Sequence, residues 1–420
     1  MKKLILCTAL FLSQSLNLLW AQTSVNQMYM TGEFASVVSQ VEAKQQSGQA
    51  TPGEYIWAAR SCEQLFHFEQ AIDFYKQALA LDSTSVAVNE SIGNCWNALG
   101  DKRMALQAYS SILPSDTTNS VFWGKYAGVL MDLERFSDAQ NVYSKLVEME
   151  PSNAFFLRKL AISAYNQKDY EKSLPFISNY LLLKPNDLKM LMAQANCFQN
   201  TAQMDSAVVV LDRVLVLDST SIDALSKLAY IEFINYKKYE SALKKYRKLN
   251  ELTGFSNLDF VSNQGFCEYF AGNFEEAIAI LEQIMVAMPS PFVVLYTGLS
   301  YQKLGDLDKA IPYLEEAAEL VIPMHTADFY YHLASAYALK RMYPEAIAYF
   351  EKVRELDSTN YNALYEMALI HDSWKRDFSK AFSFYQQYIE SDTLQRNSSQ
   401  YKYAQNRLSK IKEELFFEGN

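Results

Sequence analysis

The stretch VFWGKYAGVLMDLERFSDAQNVYSKLVEMEPSN, Val121 to Asn153, decides the fold. Trp123, Tyr126, Ala127 and Leu130 recur at three- and four-residue spacing, which predicts a helix with one apolar face. After a turn at Glu134 and Arg135, the residues Phe136, Ala139, Tyr143 and Leu146 do the same and predict a second helix. Pro151 ends it, because a proline ring lacks the N–H that a continuing helix needs. Two helices this short cannot bury both apolar faces alone, so the unit requires copies of itself on either side.

The copies are present. The hinge and second helix recur as FEQAIDFYKQALALD from Phe68, YEKSLPFISNYLLLKP from Tyr170, FEEAIAILEQIMVAMP from Phe274 and YPEAIAYFEKVRELD from Tyr343, with others between. The small residue at their centre is Ala71, Ala105, Ala139, Ser173, Ala207, Ala242, Ala277, Ala310, Ala346 and Ala381, with successive gaps of 34, 34, 34, 34, 35, 35, 33, 36 and 35. A fixed period of this length marks stacked units that each contact only their neighbours. Small residues let paired helices approach closely. The large aromatics Tyr75, Tyr109, Tyr143, Tyr246, Phe350 and Tyr385 are expected to fill the space between hairpins.

These residues resemble the tetratricopeptide repeat (TPR) family, whose pattern places Trp, Leu-Gly and Tyr on a first helix and Ala, Phe or Tyr and Pro on a second. Trp123 matches the tryptophan; Gly93, Gly265 and Gly298 the glycine; Tyr301 and Tyr337 the tyrosine; Pro151, Pro185 and Pro289 the closing proline. Ala127, Ala161, Ala195 and Ala334 stand in for the glycine elsewhere. Asp-Ser-Thr replaces the proline at Asp82, Asp218 and Asp357. The resemblance runs from about Pro52 to Glu390. It implies an all-α fold, an α-solenoid superhelix of tandem helix-turn-helix repeats with a C-terminal capping helix. In function it implies a protein-interaction scaffold whose first helices line a concave surface.

The expected organisation is a signal peptide over residues 1–21, a partial opening repeat and link over 22–51, about ten repeats over 52–390 and a capping helix over 391–420. Lys2 and Lys3, the apolar run Leu4 to Leu12, and Leu19-Trp20-Ala21 give the amino terminus the plan of an export signal, with an uncleaved anchor as the alternative. Asn250 to Asn257 and Val321 to Ala327 are longer joints, where curvature or a domain seam could change. In Ser398 to Phe417, Tyr401, Leu408, Ile411 and Leu415 keep helical spacing on an otherwise polar segment, which suits a solvating cap.

The 420 residues are half apolar, with 38 Lys and Arg against 48 Asp and Glu. The net charge of −10 becomes −12 once Lys2 and Lys3 leave with the signal, and it offers no basic stripe for nucleic acid. No later stretch is long and apolar enough for a transmembrane segment of the mature chain. Cys62, Cys95, Cys197 and Cys267 show no metal-ligand spacing and read as small hydrophobes on first helices. There is no phosphate loop, HExxH, nucleophile elbow or EF-hand spacing. His67, His325, His332 and His371 form no ligand set. Pairs such as Glu351 with Glu355 read as solvated helix faces. The chain is therefore expected not to be an enzyme and to hold no cofactor.

In the family the first helices usually meet the partner. By register, the inward places from about Ile222 to Leu339 hold Tyr230, Phe233, Phe266, Tyr269, Phe270, Leu295, Tyr296, Leu299 and Tyr331, an aromatic groove for an apolar segment of another protein. A register slipped by one would make these rings core instead, Tyr269 beside Glu268 above all. Earlier repeats offer Arg60, Glu63, Asn94, Asn97, Lys125, Asp132, Arg158 and Asn166. Asn94 and Asn196 match one place of a family clamp for carboxyl-terminal peptides, but Glu90 and Met192 stand where its lysine belongs, which argues against that clamp. The reading is an exported non-catalytic scaffold for cell-envelope proteins, in a bacterial periplasm. The alternatives are a periplasmic chaperone or assembly factor, and a glycan- or cell-wall-binding protein.

Overall fold

The protein is described here by a computed structural model covering residues 24–83, 85–112, 119–321, 323–391 and 398–418. The expected signal peptide and most of the joint before the last helix lie outside these residues. Among them are 23 α-helices and no strand, as an all-α array requires.

The chain divides into two compact units, residues 1–210 and 211–420, and neither of the two longer joints marks the division. The first unit opens with α1 (Val25–Met30) and α2 (Phe34–Gln46). It continues with α3 (Pro52–Gln64) and α4 (Phe68–Leu81), α5 (Val86–Ala98) and α6 (Lys102–Ser110), then α7 (Ser120–Asp132) and α8 (Phe136–Met149). After α9 (Ala154–Asn166), α10 (Tyr170–Leu183) and α11 (Leu188–Asn200), the division falls within α12 (Met204–Leu217). The second unit pairs α13 (Ile222–Tyr230) with α14 (Tyr239–Thr253), α15 (Leu258–Ala271) with α16 (Phe274–Met285) and α17 (Pro291–Lys303) with α18 (Leu307–Leu320). It ends with α19 (Thr326–Leu339) and α20 (Tyr343–Leu356), α21 (Tyr361–Ile370) and α22 (Phe378–Ile389), and α23 (Ser399–Glu418). Within each unit, paired helices form a hairpin, and the second helix of one hairpin packs on the first helix of the next.

The opening stretch shows why the hairpins form. Asn119 caps α7 by accepting from the Phe122 N–H at 3.0 Å, and Asn153 caps α9 through the N–H groups of Phe155 and Phe156. In α8, Ala139, Tyr143 and Leu146 are buried as their spacing predicts. In α7 the stripe is rotated from the expected one. Phe122, Ala127, Val129 and Leu130 are buried, whereas Trp123 and Tyr126 are half-buried and meet edge to face at 5.8 Å.

The ten small residues of the repeat are all fully buried, as are the six large aromatics expected between hairpins. Gly93 shows how tight the crossing is: a Cβ there would stand 2.3 Å from Cε1 of Tyr109, whose hydroxyl donates to Asn94 at 2.8 Å. Other aromatics tie one hairpin to the next through their hydroxyls. The hydroxyls of Tyr301 and Tyr313 both donate to Glu282 of the preceding hairpin, at 2.8 and 2.9 Å, with their rings stacked at 5.7 Å. Each hinge turns through one left-handed residue, as at Phe66, Glu134, Lys168, Ala202, Lys237 and Arg341.

The departures from thirty-four residues have distinct structural forms. The two first helices that precede Ala242 and Ala381 each end in a π-helical turn, Ile231–Asn235 and His371–Lys375. A 3₁₀ turn, Pro323–His325, lies in the longest interval, and α14 has fifteen residues where α8 and α10 have fourteen. At the carboxyl end α23 buries Ala404 and Ile411 against the preceding hairpin and serves as the cap expected there.

Candidate functional site

A π turn, Ile231–Asn235, ends α13. It widens the last turn of the helix, and the hinge after it is pinned by two backbone bonds, Tyr236 N–H to Ile231 C=O at 3.2 Å and Lys238 N–H to Glu232 C=O at 2.8 Å. Single π turns of this kind recur at functional sites. Here the turn carries Phe233 to within 5.8 Å of Phe270 on the next first helix, and Tyr239, opening α14, stacks on Phe270 at 4.8 Å. One helix further on, Tyr296 meets Phe266, Tyr269 and Phe270 at 5.1, 5.0 and 5.4 Å. Three successive first helices thus present one connected aromatic surface.

That surface is concave. Phe233, Phe266, Phe270 and Tyr296, all expected on the inward face, line a hollow of about 330 Å³. The other lining residues, Ile234, Lys237, Tyr239, Asn263 and Phe292, were not anticipated. Phe270 is 38% exposed and Ile234 49%. In α15 Val261, Ser262, Gly265, Cys267 and Glu268 are buried, Phe266 and Tyr269 are half-buried against the core, and Phe270 is the ring left open. A carboxylate on the core side needs compensation. Arg247 donates to Glu268 at 2.7 Å and the Asn273 amide donates to it at 2.8 Å. Burial among the rings raises the Tyr269 hydroxyl and pushes that of Tyr296 up to about 12, with Tyr269 and Tyr239 adding to the shift.

Five of the expected residues do not line the hollow. Leu295 and Leu299 are 5% and 4% exposed and belong to the core with Ile311 and Leu314, a correction to their inward assignment. The cause is that α17 is apolar almost all round and buries a wide arc, from Val293 to Leu295 and from Thr297 to Ser300. Tyr331 is half-buried against Phe350 at 5.7 Å, and burial pushes its hydroxyl up to about 12. Tyr230 is exposed but stands outside the lining. Tyr269 supports the surface from the side.

Several polar first-helix residues of the first unit are engaged within the fold. Lys125 pairs with Glu90 at 2.7 Å, Lys102 with Asp132 at 2.9 Å and Arg158 with Asp187 at 3.5 Å. Asn97 accepts from Lys102, Asn94 from Tyr109, and Asn196 donates to Tyr165. Both asparagines of the family clamp are therefore engaged within the fold. The four described cysteines are free and buried, and burial pushes the thiols of Cys62 and Cys267 up to about 12 and that of Cys197 up to about 11. These are inert packing groups. Among the described residues no cluster of His, Cys, Asp or Glu could hold a metal ion.

Comparison with known proteins identifies the repeats. Residues 55–85, 127–187 and 294–359 match three family models, each described as a tetratricopeptide repeat. The chain is 21% identical over 395 residues to DnaJ homolog subfamily C member 3 of Gallus gallus, covering 83% of this chain and 73% of that protein. It is 24% identical over 344 residues to the BBSome complex member BBS4 of Bos taurus, covering 81% of this chain but 58% of that protein's length. Among solved structures, yeast Tom70 aligns over 93% of this chain and 94% of its own, at 14% identity and a TM-score of 0.40. With its matched repeats, its period and its stacked hairpins, the chain belongs to the tetratricopeptide repeat family, whose fold serves as a scaffold for protein–protein interaction.

Proposed function

We propose that this chain is an exported, non-catalytic scaffold of the bacterial cell envelope that holds an apolar segment of a partner protein in the aromatic hollow of its second unit. One observation carries the reading: Phe233, Phe266, Phe270 and Tyr296 converge from three helices on a concave, partly exposed surface. Connected apolar surface left open to water marks interaction sites, and rigid aromatics make favoured anchors. Export to the periplasm is supported by Lys2, Lys3 and the apolar run that follows them. No helix among the described residues is long and apolar enough to cross a membrane. The non-catalytic reading rests on the lack of any catalytic motif in the sequence.

The test is co-purification of the tagged chain from envelope fractions of its native host, beside Phe270→Ala, with amino-terminal sequencing of the recovered protein. A sequence starting near Gln22 and one stoichiometric partner, lost in the variant without a change in melting curve, are the expected results. A broad set of unfolded clients would make the chain a chaperone instead. Retention on wall material alone would make it a glycan-binding protein.

A further inference from the structure

We propose, resting on the reading of the hollow as a peptide-binding site, that its guest is a segment in which a large apolar side chain lies within two residues of a carboxylate. The rings of Phe233, Phe266, Phe270 and Tyr296 dictate the apolar part. A volume of about 330 Å³ sits at the small end of ligand sites and suits one side chain with its adjoining backbone. Asn263 at the wall offers both an acceptor and donors, the set that a peptide group requires.

The charge requirement comes from the rim. A cage of aromatic faces is by itself a site for a cation, but no carboxylate lines this one, and its single charged lining residue is Lys237. Lys237 makes no ion pair with any described residue, so its ammonium repels a cationic guest and remains available to an anionic one. A second hollow of about 470 Å³ continues past it, sharing Tyr239 and Phe270 and carrying Lys237 and Lys238 against the one acid Glu240. A carboxylate leaving the aromatic hollow in that direction meets two ammonium groups. The hinge backbone that bears them is held by the π turn and its two backbone bonds, and the Lys238 ammonium rests over the Tyr236 ring at 5.1 Å.

The experiment selects a random dodecapeptide phage library on the full chain, then measures capped synthetic versions of the selected peptides by fluorescence anisotropy. The expected peptides carry Phe, Tyr, Trp or Leu within two positions of Asp or Glu. Phe270→Ala should weaken them about tenfold or more. Lys237→Gln, at an exposed hinge position, should weaken them about threefold, an effect that shrinks in high salt and vanishes when the peptide acid is replaced by its amide. Apolar peptides without acid enrichment and indifferent to Lys237→Gln would overturn the carboxylate requirement and leave the apolar-segment reading standing. Enrichment of Lys or Arg beside the aromatic would overturn it in favour of a cationic guest. No selection, or binding equal in Phe270→Ala, would overturn the underlying reading as well.

Discussion

Arg407 of the capping helix grips Asp372 with two parallel hydrogen bonds: Nε and Nη2 each donate to one carboxylate oxygen at 2.7 Å. The other side of the guanidinium reaches Glu414 at 3.1 and 3.2 Å. Asp372 lies in the π turn after α21 and is 8% exposed, so loss of its partner would strand a charge in the core. Arg407→Ala is expected to cost about 3 kcal/mol and to release α23. Hydrogen exchange should show the amides of α23 opening well before those of α21 and α22. Arg407→Lys should recover only part of the loss, because an ammonium cannot reproduce the forked contact.

Two glycines in neighbouring hairpins should respond to the same substitution with opposite signs. At Gly93 an added methyl collides with the Tyr109 ring, so Gly93→Ala is expected to destabilise by about 1–3 kcal/mol through overpacking. Gly128, inside α7, has nothing within 4 Å of a built Cβ. Gly128→Ala is expected to stabilise by about 0.5–1 kcal/mol, since it only removes freedom from the unfolded chain. Urea midpoints of the two variants against the parent decide the matter. Destabilisation by both would mean that the α7 surface is more closely covered than this structure has it.

Hinge conformation gives a third prediction. Ala202 sits at φ 57°, a left-handed position that costs a residue with a Cβ about 1 kcal/mol. Ala202→Gly is expected to recover about 0.5 kcal/mol, the strain relieved less the added freedom of the unfolded chain. The reverse change at the equivalent hinge, Gly100→Ala, where φ is 84°, should destabilise by about 0.5 kcal/mol on the same two terms. Thermal melts of both variants suffice, and a lower melting temperature for Ala202→Gly would refute the account.

What the sequence made legible was whatever repeats. Ala139 and Tyr143 were placed correctly because short-range spacing and the long period point to the same face. Leu295 was misplaced because α17 reads PFVVLYTGLSYQK, apolar on so many sides that spacing cannot rank its faces. The π turn at Ile231–Asn235 was hidden for a different reason. A gap of 35 says that one residue has been added but not what form it takes; a π turn precedes Ala242, and a lengthened α14 precedes Ala277. Because Lys237 and Tyr239 follow that turn, half of the hollow went unseen although the gap itself was in view. The pairing of Arg247 with the buried Glu268 joins residues on different helices that no periodicity relates.

The other π turn, His371–Lys375, makes stability depend on pH through His371. Its side chain is buried beside Phe384, and Nδ1 has no hydrogen-bond partner among the described residues, the nearest carboxylate, on Asp377, standing 3.8 Å away. Burial holds its pKa below the ordinary value of 6.5; Lys375 and Lys380 push the same way and Asp377 opposes them. A neutral folded imidazole means that the unfolded chain takes up the proton first as pH falls. The stabilisation is therefore complete above about pH 6.5 and is lost as pH drops through the lowered value. His332, depressed by its own burial, adds a contribution of the same sign. Between pH 7 and 5 the urea midpoint of the parent should fall more than that of His371→Asn, which keeps an amide at the same place but cannot titrate. The variant should retain the smaller slope due to His332 and to carboxylates common to both proteins. Parallel profiles would show that His371 is as readily protonated in the folded chain as in the unfolded one.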